Sequence, residues 1–425
     1  MTEQKLFQIL NSSNVFLSGG AGVGKSYLIA KLIRLYENAY KKVVPLGSTG
    51  ISAVNIGGYT LHSFFIFGIA KSIEELQSYD KRNKKRLSEL KKILQEIDLI
   101  IIDEISMVSS TLMDMIYYRL SALGFSGKLL VVGDFYQLPP ITKQKESNRL
   151  FKEPIYAFES SAWRSLNFIN IFLEEVKRTS SKEFIAILTK VRKGICDKEV
   201  QEYLIKLKNQ EITNLEPTYL FARNEEVNAM NKSKLALLES EENYYFWHLE
   251  KDSSVHEKRV ETWAKALPVL EVLHLKVGAK VIFSVNNWGK FVNGQKGVVV
   301  KVANDYIVVE TQGRRLTIYP HDFELTELDA TTLEPRVLAT ISQYPLKLAY
   351  AITIHKSQGM SLDALVCNLD YLFAPNQLYV AISRATNPRE LKLEYSRADF
   401  LSYLQRVIVK NELVDSFYES LEYEY

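Results

Sequence analysis

The chain has 425 residues, of which 47% are hydrophobic and 24% charged, with a net charge of +3 at pH 7. This composition excludes a disordered or collagenous chain, and no apolar run approaches the roughly 18 residues a membrane-spanning helix needs. The length predicts two to four domains, each able to bury its own core. So small a net charge permits a polyanionic partner only through local patches.

Cys196 and Cys367 are the two cysteines, and no Cys/His ligand spacing surrounds them, which argues against a disulfide framework or a zinc site. The polar start Met1-Thr2-Glu3-Gln4-Lys5 does not read as a signal peptide. A cytosolic protein is expected, or a nuclear one if the source is eukaryotic, with no membrane partner.

Gln4 precedes a short amphipathic segment, Leu6, Phe7, Ile9 and Leu10. A glutamine there can pair with an adenine edge, although an isolated exposed Gln is ordinarily only surface. The apolar run Asn14–Leu17 predicts a buried strand, and Leu28, Ile29, Leu32 and Ile33 recur at helical spacing. Between them, Gly19-Gly20-Ala21-Gly22-Val23-Gly24-Lys25-Ser26 fits G-x-x-x-x-G-K-[ST] in the required strand–loop–helix context. Such a loop turns its N–H groups toward phosphates at a helix N-terminus, with Gly19, Gly22 and Gly24 shaping the turn. Lys25 is expected at the β- and γ-phosphates and Ser26 on Mg²⁺, so the chain binds ATP or GTP.

Val43–Leu46 predicts a second strand. The segment from Gly47 to Phe65 then mixes small hydroxyl and glycine residues with His62 and Phe64. It suits either close approach to a ligand with stacking faces, or a loop over a buried aromatic cluster. Lys81–Arg86 and Lys91-Lys92 read as a solvated helix face or as a phosphate-facing patch.

Leu99-Ile100-Ile101-Ile102-Asp103-Glu104 is an apolar strand ending in two acids. Opposite Lys25, Asp103 would hold Mg²⁺ and Glu104 would polarise an attacking water, which predicts a hydrolase rather than a kinase. Leu129–Pro140 is a further strand leading into a loop where Gln137 could sense the γ-phosphate. Strand–helix alternation to about residue 170 predicts a parallel sheet with ligands at the strands' carboxyl ends.

A second half begins near Ile171–Arg178. Thr218–Ala222 predicts a strand, with Asn224 as the N-cap of the next helix. Between about 278 and 320, β-rich runs alternate with the turns Asn293-Gly294, Asn304-Asp305 and Gln312-Gly313, predicting a small antiparallel barrel. Ala351–Gly359 and the strand Ala364–Cys367 follow, then the helix Gln377–Ala385 with Arg384 near its end. The acidic, aromatic tail Glu419–Tyr425 shows no chemistry of its own.

In this order the motifs resemble the superfamily-1 DNA helicases of the PIF (petite integration frequency) type. The matching stretches are Gly19–Ser26, Ser48–Phe64, Ile101–Met107, Gly133–Pro140, Leu173–Arg178, Leu348–Leu362 and Leu378–Thr386, spanning nearly the whole chain. RecD-like helicases share several of them. The resemblance implies an α/β fold of two RecA-like P-loop NTPase lobes, parallel sheets flanked by helices. The first lobe would span 1–170 with a wedge subdomain at about 66–96. The second would span 171–235 and 341–425, with an insertion at 236–340 holding the barrel.

It further implies an ATP-dependent, DNA-stimulated helicase moving 5′ to 3′ on single-stranded DNA, with Mg²⁺, in DNA repair, recombination or telomere maintenance. Single/double-strand junctions would be bound, with G-quadruplexes and RNA–DNA hybrids as further candidate substrates. Gln4 would contact adenine, and Gly359 would line the nucleotide site. Lys25, Glu104 and Gln137 would act in hydrolysis, with Arg178 and Arg384 as arginine fingers. Thr49, Gly50, His62, Phe64, Thr353, His355 and Lys356 would touch DNA. Thr179 stands where the family commonly has Gln. The alternatives are a RecD-like motor subunit of a larger complex and an ATP-dependent clamp that does not unwind.

Overall fold

The computed structural model describes residues 1–68, 70–140, 154–213, 217–253, 255–285, 287, 290–291, 293–328 and 335–424; Tyr425, the last residue of the acidic tail, lies outside them. The chain divides into two compact units. The first comprises Met1–Lys177, Thr326–Arg336 and Asn411–Tyr425, and the second Arg178–Leu325 and Val337–Lys410. Residues 411–425, placed with the second lobe from sequence, thus belong to the first unit. No helix among the described residues is long and apolar enough to cross a membrane.

The first unit is built on a parallel sheet of β1 (Val15–Gly19), β2 (Val43–Gly47), β3 (Tyr59–Thr60), β4 (Leu99–Asp103), β5 (Lys128–Gly133) and β6 (Ile169–Leu173), in the order β3-β2-β4-β5-β1-β6. Its central strands are apolar along both faces because both are covered. Successive side chains alternate: Val15, Leu17, Ile101 and Val132 pack with the helix Lys25–Asn38 on one face. Phe16, Ile100, Ile102 and Val131 point into an aromatic core on the other. There Phe16 meets Trp163 and Phe135, with ring centroids 5.1 and 5.6 Å apart. The helix Glu412–Glu419 completes this core, its Phe417 stacking on Phe158 at 4.1 Å. Of the acidic, aromatic tail that follows, Tyr423 packs edge-on against Phe172 of β6, with ring centroids 5.6 Å apart.

The stretch expected from sequence to form a wedge subdomain holds the helices Ile73–Asp80 and Lys84–Glu96. Lys81, Arg82, Lys84 and Lys85 are exposed, whereas Arg86 pairs with Glu327 at 3.4 Å. Arg119, on the helix Ser110–Ala122, is only 1% exposed. Its guanidinium forks onto Asp80 at 2.6 and 2.9 Å and donates to the Phe65 carbonyl at 3.1 Å. One buried cation therefore ties the end of the helix Ile73–Asp80 to the aromatic turn that follows His62.

The second unit has a smaller parallel sheet of Ala351–Thr353, Thr218–Phe221, Leu365–Asn368 and Leu391–Glu394, in that spatial order. Gln377–Ile382 forms a helix buried on all sides, and Arg384 lies just past its end. The β-rich run makes a five-stranded antiparallel sheet in which Lys280–Phe283 lies between Leu346–Leu348 and Lys296–Val302. Ile307–Thr311 and Arg314–Ile318 extend it through a two-residue hairpin, with Gln312 at φ 48° and Gly313 at φ 71°. Both values are left-handed, as this type of tight turn requires. Asn224 is a correction: it is the first residue of the helix Asn224–Ala236 rather than its cap, and its Oδ1 accepts from Lys356 Nζ at 3.3 Å instead.

Removing the Arg119 fork strands a carboxylate and a backbone carbonyl. Arg119→Ala is expected to cost about 3–5 kcal/mol. Urea unfolding should show an earlier transition, with hydrogen exchange rising first over residues 61–80; an unchanged transition would refute the assignment.

Candidate active site

The phosphate loop forms as its motif demands. β1 ends at Gly19 and the helix begins at Lys25. Gly24 caps it at φ 89°, a left-handed conformation that costs glycine little. A Cβ on Gly19 would lie 2.5 Å from the Leu173 carbonyl oxygen, so β6 can approach only because this residue lacks one. Lys25 donates to the Gly19 and Gly20 carbonyls at 2.7 and 3.0 Å. Ser26 is exposed in the first turn, where backbone N–H groups have no partner within the helix. Gln4 is exposed on the helix Glu3–Leu10. The loop is tied further along the chain, because the Lys177 N–H donates to the Gly22 carbonyl at 2.8 Å.

Asp103 closes β4, and Glu104 follows at φ 55°, ψ 50°. A left-handed glutamate is a strained residue, and such strain gathers at functional sites. Its N–H donates to Asp103 Oδ1 at 2.9 Å. Burial and then the Glu104 charge push the Asp103 carboxyl well above its ordinary range, while the Glu104 N–H and the Lys25 ammonium pull it back. The acids and Lys25 thus share one electrostatic site. Two carboxylates against one ammonium leave a negative excess that suits a divalent cation. Among the described residues no cluster of three or more His, Cys, Asp or Glu side chains that could hold a metal ion exists. In the loop after β5, Gln137 is 5% exposed, and its N–H donates to the Asp134 carbonyl at 2.8 Å.

In the second unit the two arginines meet. Arg178 Nη1 donates to the Ser383 carbonyl at 2.7 Å and its Nε to Ser361 Oγ at 2.9 Å. Arg384 is 2% exposed, unlike an ordinary surface arginine; Nη2 donates to Ser383 Oγ at 2.8 Å and Nε to the Val380 carbonyl at 2.9 Å. Burial and then the Arg384 charge pull the Arg178 guanidinium down to about 9, still protonated at pH 7. Gly359, at φ 76°, lies in the exposed turn beyond His355–Ser357.

The residues expected at DNA are distributed unevenly. Thr49 caps the helix Gly50–Ile56, its hydroxyl accepting from Ser52 N–H at 3.1 Å. His62 is exposed, edge-on to Phe67. Phe64 is 7% exposed and packs in the aromatic core against Phe65, so little of its ring is open for stacking. Thr353 is buried and accepts the Lys356 N–H at 3.2 Å. His355 is half-buried and stacks on Phe373, which is 64% exposed. Arg223 lies over the ring of Tyr371, 4.6 Å from its centroid.

Sequence reasoning missed Phe373, Tyr371 and Arg223. It also missed a row of lysines. Lys296 and Lys347 flank Ile282 at one register across three strands, and Lys280, two residues along, shares their face. Burial pulls Lys280 and Lys296 down to about 8 and Lys347 to about 7, with Lys356 adding to the last. Their alternation in β-runs was visible, but that they line up depends on strand register.

Family models for the PIF1-like helicase and for the UvrD-like helicase C-terminal domain match residues 5–202 and 348–387. Over 98% of its length the chain is 42% identical to the ATP-dependent DNA helicase Pif1 of Campylobacter jejuni, spanning 96% of that protein. The chain belongs to the PIF1-like helicase family. It is an ATP-dependent DNA helicase. The fold is similar to that of Bacteroides Pif1 in complex with ADP-AlF4, with TM-score 0.82, 28% identity and coverage of 98% and 96% of the two chains. The structure of Bacteroides Pif1 bound to ssDNA matches at TM-score 0.68, with the same identity and coverage.

In this Pif1-family site, Glu104→Gln is expected to bind ATP while hydrolysing it at a small fraction of the wild-type rate, because only the proton-accepting group is lost. Steady-state hydrolysis with a parallel nucleotide-binding titration checks this; wild-type turnover would remove Glu104 from the chemistry. The lysine row gives a pH test. A lysine depressed in the folded chain binds fewer protons than in the unfolded chain, so it lowers stability near neutrality and the loss is recovered as pH rises. If these lysines face phosphates, affinity for DNA should fall from pH 7 to 9 as their charge is lost. Lys347→Gln should weaken that dependence and reduce the salt slope by about 0.7.

Proposed function

We propose that the chain translocates 5′ to 3′ on single-stranded DNA, using Mg²⁺-ATP held by the first unit and the paired arginines of the second. The observation that carries the reading is the Arg178–Arg384 pair. Two guanidinium groups far apart in sequence, that of Arg384 buried and that of Arg178 half-buried, are anchored to opposite ends of one residue, Ser383. Placing like charges together away from water is costly unless an anion joins them. A triphosphate is the anion that a chain with this phosphate loop handles.

The loop N–H groups and Lys25 bind the β- and γ-phosphates. Ser26 and Asp103 are the residues that would hold Mg²⁺, which when bound neutralises phosphate charge. Gln4 pairs with adenine. Glu104 takes a proton from the attacking water, and Gln137 senses the γ-phosphate. Arg178 and Arg384 supply fixed positive charge where negative charge develops; Gly359 lines the same site. Such stabilisation is worth about 10³–10⁵ in rate in comparable P-loop enzymes.

Single-stranded DNA, which the Bacteroides relative binds, would lie along the lysine row and the exposed Phe373 ring. Thr49, Gly50, His62, Thr353, His355 and Lys356 would be its further contacts, with Phe64 supporting them from the core. Opening one base-pair step takes about 1.4 kcal/mol on average, which each cycle must exceed. Junctions, G-quadruplexes and RNA–DNA hybrids are the structures such a motor would meet in repair, recombination or telomere maintenance.

The test is strand displacement on duplexes with a 5′ or a 3′ tail. Displacement should require the 5′ tail, and Arg178→Lys or Arg384→Lys should abolish it. Either change should lower DNA-stimulated turnover by at least about 10³ while nucleotide affinity stays within about tenfold, since lysine cannot copy the planar fork. Displacement from 3′ tails alone reverses the direction, and DNA-stimulated hydrolysis without displacement establishes a clamp.

A further inference from the structure

The helix Glu412–Glu419 does more than fill the aromatic core, because one of its side chains reaches the roots of two phosphate-handling loops. Tyr418 Oη lies 2.8 Å from Ser18 Oγ and accepts the Phe135 N–H at 3.1 Å. Ser18 immediately precedes Gly19, where the phosphate loop begins, and Phe135 stands two residues before Gln137. The strands that carry them are neighbours, with Ser18 beside Gly133.

The same ring stacks on Tyr136 at 5.0 Å and 8°, and the Tyr136 hydroxyl donates to Asp415, one helical turn before Tyr418. Asp134 fixes the loop from within, its carboxylate accepting the Tyr136 N–H at 3.2 Å. Ser18, Asp134 and Phe135 are fully buried, and Tyr136 and Gln137 nearly so. Packing alone would be served by phenylalanine, which stacks as well and fills almost the same space. The hydroxyl adds a hydrogen-bonded link between loops that leave different strands.

We propose that Tyr418 is a positioning residue for ATP hydrolysis, its hydroxyl setting the Gln137 loop against the strand that delivers the phosphate loop. The inference rests on the reading in which Gln137 and the phosphate loop act on ATP. Displacing a reacting group by about 1 Å can cost 10²-fold in rate, so a link of this kind shows in turnover before it shows in binding.

The experiment uses the full chain carrying Tyr418→Phe, Ser18→Ala, both together, or Gln137→Ala. Tyr418→Phe should lower DNA-stimulated kcat about tenfold, with KM for ATP and affinity for DNA within about twofold. The thermal midpoint should stay within about 4 °C. Ser18→Ala should act in the same sense, and the pair should be no worse than the poorer single, because both remove one link. If Tyr418→Phe turns over at the wild-type kcat while Gln137→Ala is slow, the positioning role is overturned and the site reading stands. If Gln137→Ala is itself unimpaired, the site reading falls first. A drop in midpoint with kcat per folded molecule unchanged makes Tyr418 a packing residue and also overturns the proposal. Should Tyr418→Phe fail to fold, a wild-type kcat for Ser18→Ala does the same.

Discussion

Charges of one sign are held side by side in both units, and the hydrogen bonds that hold them are what the rest of the structure serves. Asp103 and Glu104 share the end of β4, with Lys25 close enough to temper Asp103. Arg178 and Arg384 are anchored on Ser383. Neither arrangement is comfortable in isolation, since burial penalises the charges of Asp103 and Arg178 and a like-charged neighbour penalises them again. The parallel sheet, the left-handed Glu104 and the fully buried helix Gln377–Ile382 are the scaffold that keeps such groups from relaxing away from one another.

The phosphate-loop turn and the strand ending in two acids were legible in the sequence because each is contiguous. A phosphate loop needs its glycines, lysine and serine within eight positions, and an acid pair at a strand end needs only the strand. Both lie where their residues predict. The turns of the antiparallel sheet were legible for the same reason, since Gln312-Gly313 fixes its hairpin by itself.

What the sequence could not show depends on register or on distant contacts. The lysine row exists only because Ile282 pairs with Lys296 on one side and Lys347 on the other. Phe64 and His62 are two residues apart, yet one is in the core and the other on the surface; local composition does not separate them. Asn224 has the side chain of a cap but begins one residue too late to act as one. The tail Glu419–Tyr425 looked inert because its Tyr423 packs on Phe172, far away in the chain.

That return of the tail has a consequence for dissection. The chain passes between its units at Lys177–Arg178, Leu325–Thr326, Arg336–Val337 and Lys410–Asn411. Neither unit is therefore encoded by one uninterrupted stretch of gene. A fragment ending at 410 would not be a trimmed motor: it would lack Phe417 and Tyr418 and leave Phe16, Phe135 and Phe158 facing water. Separating the two halves for independent study calls for a redesigned connectivity, in which residues 411–424 are joined back to the first sheet by a new linker.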